Sequence, residues 1–350
     1  MEMEDRLSKQ VLDQLVHKVT TKKYIYGAVF YVSSDDNSID VISASGNIKE
    51  DSQYYIASIN KFFVSAIILK LHTDSKLDLH DEISKYLPEE VIRGLHSYRG
   101  KDYSHNLSII HLMSLTSGLP CYLADRQANG KKAMAELEAG IDQAWPIDRV
   151  IQVVKRMKPH FPPGKKGKAK YGDTNHQILG LVIENIVGKP LKSVLNSLFQ
   201  ELNLTRTYVY EDTNDRNFVP VRYKSETINI PLFLASTQYD IISTAKDQMT
   251  FLKAFFNGYF FPKERLNELK KWNSIFFPFK YGVGIQKFHM PRILSPFHSV
   301  PDMIGHCGST GSVAFYVPDR GLYITGTINQ QARPGIAFQT MIKIVNSLRP

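Results

Sequence analysis

Cysteine is almost missing from this chain: only Cys121 and Cys307 occur in 350 residues. At most one disulfide can form, which excludes a disulfide-stapled scaffold, and no Cys-x-x-Cys spacing marks a zinc or redox site. Long apolar runs are missing as well. The longest, Phe62 to Leu69, is interrupted by Ser65 and ends at Lys70. That is far short of the roughly 20 residues a membrane-spanning helix requires. No internal repeat or low-complexity tract occurs, and 43% hydrophobic with 22% charged residues excludes a disordered or fibrous chain. The opening MEMEDRLSKQ is polar with no apolar stretch behind it. No export leader is expected there, so a cytoplasmic protein is expected, or an exported one if the sequence is trimmed. An acidic excess is lacking too. The net charge of +9 allows nucleic acid, anionic membranes or acidic substrates as partners. The one dense basic cluster, Lys165, Lys166, Lys168 and Lys170, follows Pro162-Pro163-Gly164 without interleaved aromatics or arginine. A solvated loop or an aid to anionic substrates is expected there, and no nucleic-acid partner.

What is present reads as an α/β (α+β) chain with a large core. Tyr24 to Ser33 and Ile39 to Ala44 are rich in β-branched and aromatic residues, and the polar run from Ser34 to Ser38 predicts a hairpin between them. Ser312 to Val317 and Leu322 to Ile328 flank another turn, Pro318-Asp319-Arg320-Gly321. Tyr281 to Ile285 is expected to add a strand. Helices are expected at both ends, on Leu12, Leu15, Val16 and Val19, and on Phe338, Met341, Ile342 and Val345. The middle is mostly helical, with periodic segments at Thr174 to Val187, Ile147 to Met157 and Ala245 to Asn257. This pattern predicts an antiparallel sheet domain from residues 1–72 and 281–350. A mostly helical region, residues 73–280, would be inserted into it, with the active site between the two.

One helix is apolar almost all round, Phe62 to Leu71, and is therefore expected to be buried on every side. At its start stands Ser58-Ile59-Asn60-Lys61. Ser and Lys three apart share a helix face, and the unpaired N–H groups of a first turn favour a forming alkoxide or oxyanion. A buried Lys61 would be a base or a fixed charge that activates Ser58. Ser243-Thr244-Ala245-Lys246 repeats the spacing, but before an amphipathic helix, where Ser243 is expected to cap. Two further clusters carry chemistry. In Tyr171-Gly172-Asp173, a tyrosine near Lys61 could take the Ser58 proton. In Gly305-His306-Cys307-Gly308-Ser309, glycines let a substrate approach the backbone, and a strand N–H can complete an oxyanion hole.

Taken in order, Ser-x-x-Lys, Tyr-x-Asp and His-x-Gly resemble the motifs of the penicillin-recognising serine hydrolases. Within them the chain is similar to the branch of class C β-lactamases, D-Ala-D-Ala carboxypeptidases, D-aminopeptidases and family VIII esterases. Residues 76–88, 110–120, 240–247 and 281–284 look like further segments of that branch, so the likeness spans nearly the whole chain. It implies a β-lactamase/DD-peptidase-like fold and a two-step transfer of an acyl group to water. Ser58 would be the acylated nucleophile, Lys61 its proton partner and Tyr171 the general base. The N–H groups of Ser58 and Ser309 would form the oxyanion hole. His306 would take the place of the third-motif cation, and Asp173 and Gly308 would meet substrate. Asp173 stands where many β-lactamases have Asn, and His306 replaces the Lys of the Lys-Thr-Gly form, as in carboxypeptidase, D-aminopeptidase and esterase members. Cys307 is expected to pack as a small residue. The substrate implied is a small ester, amide or D-amino-acid peptide, with no metal and no organic cofactor. A class C-like β-lactamase is the alternative within the class, and a catalytically silent penicillin-binding or sensor protein the alternative outside it. The silent form would show loss of Ser58, Lys61 or Tyr171, and all three are present. The oligomeric state stays open.

Overall fold

A computed structural model describes residues 8–294 and 300–348. Its centre is an eight-stranded sheet in which every pairing is antiparallel. In chain order the strands are β1 (Gly27–Ser34), β2 (Asp40–Gly46), β3 (Asn273–Phe276), β4 (Phe279–Tyr281), β5 (Gln286–Phe288), β6 (Met303–Cys307), β7 (Ser312–Val317) and β8 (Leu322–Thr327). Across the sheet they run β3-β4-β5-β6-β7-β8-β1-β2. The first strand thus lies inside the sheet, bonded to the last on one side and to β2 on the other.

Both faces of β1 are covered, so its sequence is apolar almost without alternation. Phe30 and Val32 turn to one face, where they pack with Leu12 and Val16 of helix α1 (Lys9–Thr20) and with Met341 and Ile344 of the terminal helix (Gly335–Ser347). Val29 turns to the other face and joins the larger core, which includes helix α2 (Asn60–Thr73). That helix is buried from Asn60 through Leu69, as its all-round apolar sequence predicts. Phe63 stacks on Phe251 at 3.7 Å, and Phe62 packs 4.3 Å from Phe255, both from the helix Ala245–Phe256.

Two expectations are corrected. Residues 282–285 form the turn of a hairpin instead of a strand, because Tyr281 pairs with Gln286 and Gly284 takes φ of 74°. A side chain at Gly284 would also collide with Met113 and Ser65 at 2.8 Å. The cap of Ala245–Phe256 is Thr244, whose Oγ accepts from the Asp247 N–H at 3.1 Å. Ser243 is instead the last residue of a short buried strand, Ile241–Ser243, its hydroxyl bonded to Thr207 at 2.8 Å. That strand lies between Tyr54–Tyr55 and Tyr208–Val209 in a small three-stranded sheet. The pairing of Tyr55 with Ile242 sets residue 240 beside the chain that leads into Ser58. No helix among the described residues is long and apolar enough to cross a membrane.

Candidate active site

Ser58 sits in a single 3₁₀ turn, Ala57–Ile59, that runs straight into α2. Ala57 before it has φ of 49°, a left-handed conformation that a non-glycine residue adopts only when its surroundings hold it there. The holding contacts come from the β6–β7 turn. Thr310 Oγ donates to the Tyr55 carbonyl at 3.2 Å, and Ser312 Oγ donates to the Ile56 carbonyl at 2.8 Å. Gly308 packs so closely that an added Cβ would stand 2.4 Å from the Ile56 oxygen and 3.0 Å from Ala57 Cβ.

One turn into α2, Lys61 is 1% exposed, and its Nζ donates to Ser58 Oγ at 2.9 Å. The same Nζ meets the Asp173 carboxylate at 2.5 Å. Asp173 precedes the helix Thr174–Val187 but makes no capping bond, so its carboxylate is left for Lys61 and for the Cys121 thiol at 3.3 Å. Burial raises this carboxyl, and the Lys61 charge and hydrogen bond outweigh it, leaving it below the usual range. Tyr171 lies with its ring centroid 5.5 Å from Lys61 Nζ and lines the same cavity as Ser58. Burial first and the Asp173 charge second push this phenol well above its ordinary value, while the Ser58 hydroxyl works the other way. The phenol is therefore neutral near pH 7.

The third motif supplies a histidine, His306. His306 is fully buried, and burial together with the Lys61 charge lowers its ring to about 3. It is a neutral imidazole and supplies no cation at that position. Its Nδ1 lies 2.9 Å from the Cys307 carbonyl, which can only accept, so the proton is on Nδ1. Nε2 then accepts from the Tyr281 hydroxyl at 3.3 Å. His306 props Tyr281, whose ring lies 6.3 Å from that of Tyr171. Gly308 is likewise a packing residue against the Ser58 turn and does not line the cavity that Ser58 opens into. Ser309 does line it, and its N–H donates to no protein group among the described residues. Cys307 is bonded through its thiol to Gln286 Oε1 at 3.1 Å, and desolvation pushes that thiol up to about 12.

Ser58, Lys61, Tyr171, Asp173 and Ser309 share the wall of one cavity of about 170 Å³. Leu123, Met134, Leu137, Ile228, Ile230 and Phe233 supply much of its apolar surface. A cleft of about 300 Å³ lies elsewhere, lined by His72, Asp78 and Arg265 among others. It contains none of the clustered motifs, and its Arg265 is paired with Glu268 at 3.1 Å.

A family model described as Beta-lactamase matches residues 12–340, nearly the whole chain. The chain belongs to the β-lactamase family. Among curated relatives, Protein flp of Staphylococcus aureus is 24% identical over 218 residues, which is 60% of this chain and 40% of that protein. The chain thus spans well under half of that relative's length. Among solved structures, the D-amino acid amidase of Ochrobactrum anthropi in complex with D-phenylalanine superposes with a TM-score of 0.77 at 18% identity, covering 96% of this chain and 97% of that one. A D-stereospecific amidohydrolase from Streptomyces gives 0.75 at 22% identity, with 95% and 98% covered. At these identities the structural likeness establishes the fold.

This β-lactamase-family site also contains residues that the motifs do not reveal. Asp240 lines the cavity and is 4% exposed. It accepts from the Tyr55 hydroxyl at 2.7 Å, from Asn60 Nδ2 at 2.9 Å and from Thr237 Oγ at 2.7 Å. Burial lifts its carboxyl to about 6, against the Thr237 and Tyr55 bonds that pull it down. The available signal is an acid set between Tyr239 and Ile241-Ile242: a carboxylate at the start of an apolar segment is rarely buried without partners. The exposed Lys165, Lys166 and Lys168 form a solvated loop, as expected, and Lys170 pairs with Asp125 at 3.4 Å.

Proposed function

We propose that the chain is a serine hydrolase that passes the acyl group of a small ester, amide or D-amino-acid peptide to water by way of acyl-Ser58. One observation carries the reading: a buried lysine reaches Ser58 Oγ at 2.9 Å on the wall of a largely apolar cavity. Lys61, its charge met by Asp173, donates to Ser58 Oγ and so turns the hydroxyl proton toward Tyr171. Because the Tyr171 phenol is neutral, it works as a relay. As Ser58 Oγ attacks the carbonyl carbon, its proton passes to the Tyr171 oxygen and the Tyr171 proton passes in the same step to the leaving oxygen or nitrogen, whose bond to that carbon then breaks. In deacylation water takes the place of Ser58, and Ser58 Oγ departs with the relayed proton. The N–H groups of Ser58 and Ser309 are assigned to the developing oxyanion.

The class C-like β-lactamase alternative needs a cation for the substrate carboxylate. His306 is neutral and Lys61 is committed to Asp173, which favours the esterase and amidase reading. The test is steady-state turnover of a 4-nitrophenyl ester and a chromogenic cephalosporin by wild type and Ser58→Ala. Ester turnover that falls by at least about 10³-fold in the variant is expected. Faster turnover of the cephalosporin would move the assignment to the lactamase, and equal rates in both proteins would overturn the serine mechanism.

A further inference from the structure

Phe276 and Phe277, 50% and 65% exposed, are the only exposed phenylalanines among the described residues. Phe276 ends β3, and Phe277 opens the turn into β4. Adjacent apolar rings left in water on a folded chain commonly mark a contact surface. These two adjoin the acylation site. The Phe276 ring meets the Tyr171 ring edge-on, with centroids 5.9 Å apart and an interplanar angle of 89°. Phe276 is not on the wall of the cavity that Tyr171 lines, so it meets Tyr171 outside that cavity. Behind it stands Phe279 at 5.4 Å, which packs in turn on Phe338 of the terminal helix at 5.0 Å. The exposed ring is thereby seated against the core. Ser58, Tyr171 and Ser309 are half-buried, so the site is open to solvent at these residues.

The direction of the chemistry gives this hairpin an occupant. The atom that leaves the acyl carbon takes the Tyr171 proton, so it must lie at the Tyr171 hydroxyl. With the acyl group in the apolar cavity, the rest of the leaving group is directed to the open side of Tyr171, where Phe276 stands. An aromatic ring there would complete an edge-to-face cluster with Tyr171 and Phe276 and cover apolar surface on both partners.

We infer that Phe276 and Phe277 form a leaving-group subsite that selects esters and amides whose departing alcohol or amine carries an aromatic ring. The inference rests on the acyl-Ser58 reading and deepens it by naming the leaving-group class. Phe276 is here a specificity residue: it takes no part in proton transfer and sets which leaving group is held beside Tyr171.

The test uses two pairs of esters, read by acid release. 2-Phenylethyl acetate and 2-methoxyethyl acetate share an acyl group and differ on the leaving side. Ethyl 3-phenylpropionate and ethyl propionate differ by a ring on the acyl side. On wild type, kcat/KM of the phenylethyl ester should exceed that of the methoxyethyl ester by roughly fivefold or more. Phe276→Ser should bring that ratio close to one and keep the acyl-side ratio within about twofold of wild type. A displaced Tyr171 would slow all four esters alike and leave both ratios in place, which separates a lost ring contact from a disturbed relay. Labelling of Ser58 by a fluorophosphonate, read by intact mass, reports whether each protein is folded and competent. The wild-type comparison stands even if the variant does not fold. A wild-type ratio near one, or a ratio that survives Phe276→Ser, with Ser58 still labelled, would overturn the inference and leave the hydrolase reading standing. Equal narrowing of both ratios would overturn it too, as would esters that neither turn over nor slow the labelling of Ser58. Absence of both turnover and labelling would remove both readings.

Discussion

A lysine and an aspartate from distant parts of the chain meet beside Ser58, and neither charge has another ionic partner among the described residues. Lys61 is 1% exposed and the Asp173 side chain 18%, so removing the lysine charge leaves a mostly buried carboxylate without its cation. Lys61→Met should therefore destabilise the fold by roughly 3 kcal/mol, and adding Asp173→Asn should restore most of that loss without restoring hydrolysis. Urea unfolding of the two variants checks this, and equal midpoints would contradict it. Asp240 gives a pH prediction of opposite kind. Its carboxyl is raised from 3.8 to about 6 on folding. The folded state therefore holds the proton more tightly, and stability is lost as pH rises through about 6. That loss should be on the order of 1–3 kcal/mol between pH 4 and 7. Asp240→Asn should flatten this part of the stability–pH curve relative to wild type. A curve of unchanged slope would show that the carboxylate is better solvated than its burial implies. Ser58, Lys61 and Tyr171 are legible in the sequence because each lies in a short local motif. Asp240 is not, because its partners Tyr55, Asn60 and Thr237 reach it only through tertiary folding.

The elements that hold the site do so through backbone contact more than through charge. The β6–β7 turn presses Gly308 against Ile56 and Ala57, and any side chain there must push the two apart. Gly308→Ala should cost roughly 1–3 kcal/mol and slow acylation more than it weakens binding, because the displaced group is the Ser58 turn itself. Single-turnover kinetics with a 4-nitrophenyl ester reads this, and an unchanged acylation rate would contradict it. Much of this scale is legible in sequence. Helix α2 announces itself by apolar residues on all sides, and β7 and β8 by the Pro-Asp-Arg-Gly turn between them. Residues 281–285 mislead because valine and isoleucine favour strands. The flanking Gly282 and Gly284 outweigh them by permitting a tight turn, and backbone bonds from Val283 to Leu269 and from Gly284 to Met113 pin it. His306 is identified by its motif position, and the further lowering of its ring depends on burial that no local pattern encodes.

For the molecule as a whole, the sheet ties residues 27–46 to residues 273–327, and α2 lies beneath it carrying Ser58 at its start. The polar cluster is thereby set in a cavity walled largely by apolar side chains, where fixed dipoles and charges act with little competition from water. The central claim is that this enclosure makes Ser58 a nucleophile that becomes acylated. The most direct measurement is intact mass after rapid quenching of a reaction with a 4-nitrophenyl ester, on wild type and on Ser58→Ala, with peptide mapping of any adduct. The account predicts a wild-type protein heavier by one acyl group, mapped to Ser58, and no adduct on the variant. Turnover with no adduct trapped on wild type, or an adduct that persists in Ser58→Ala, would contradict it.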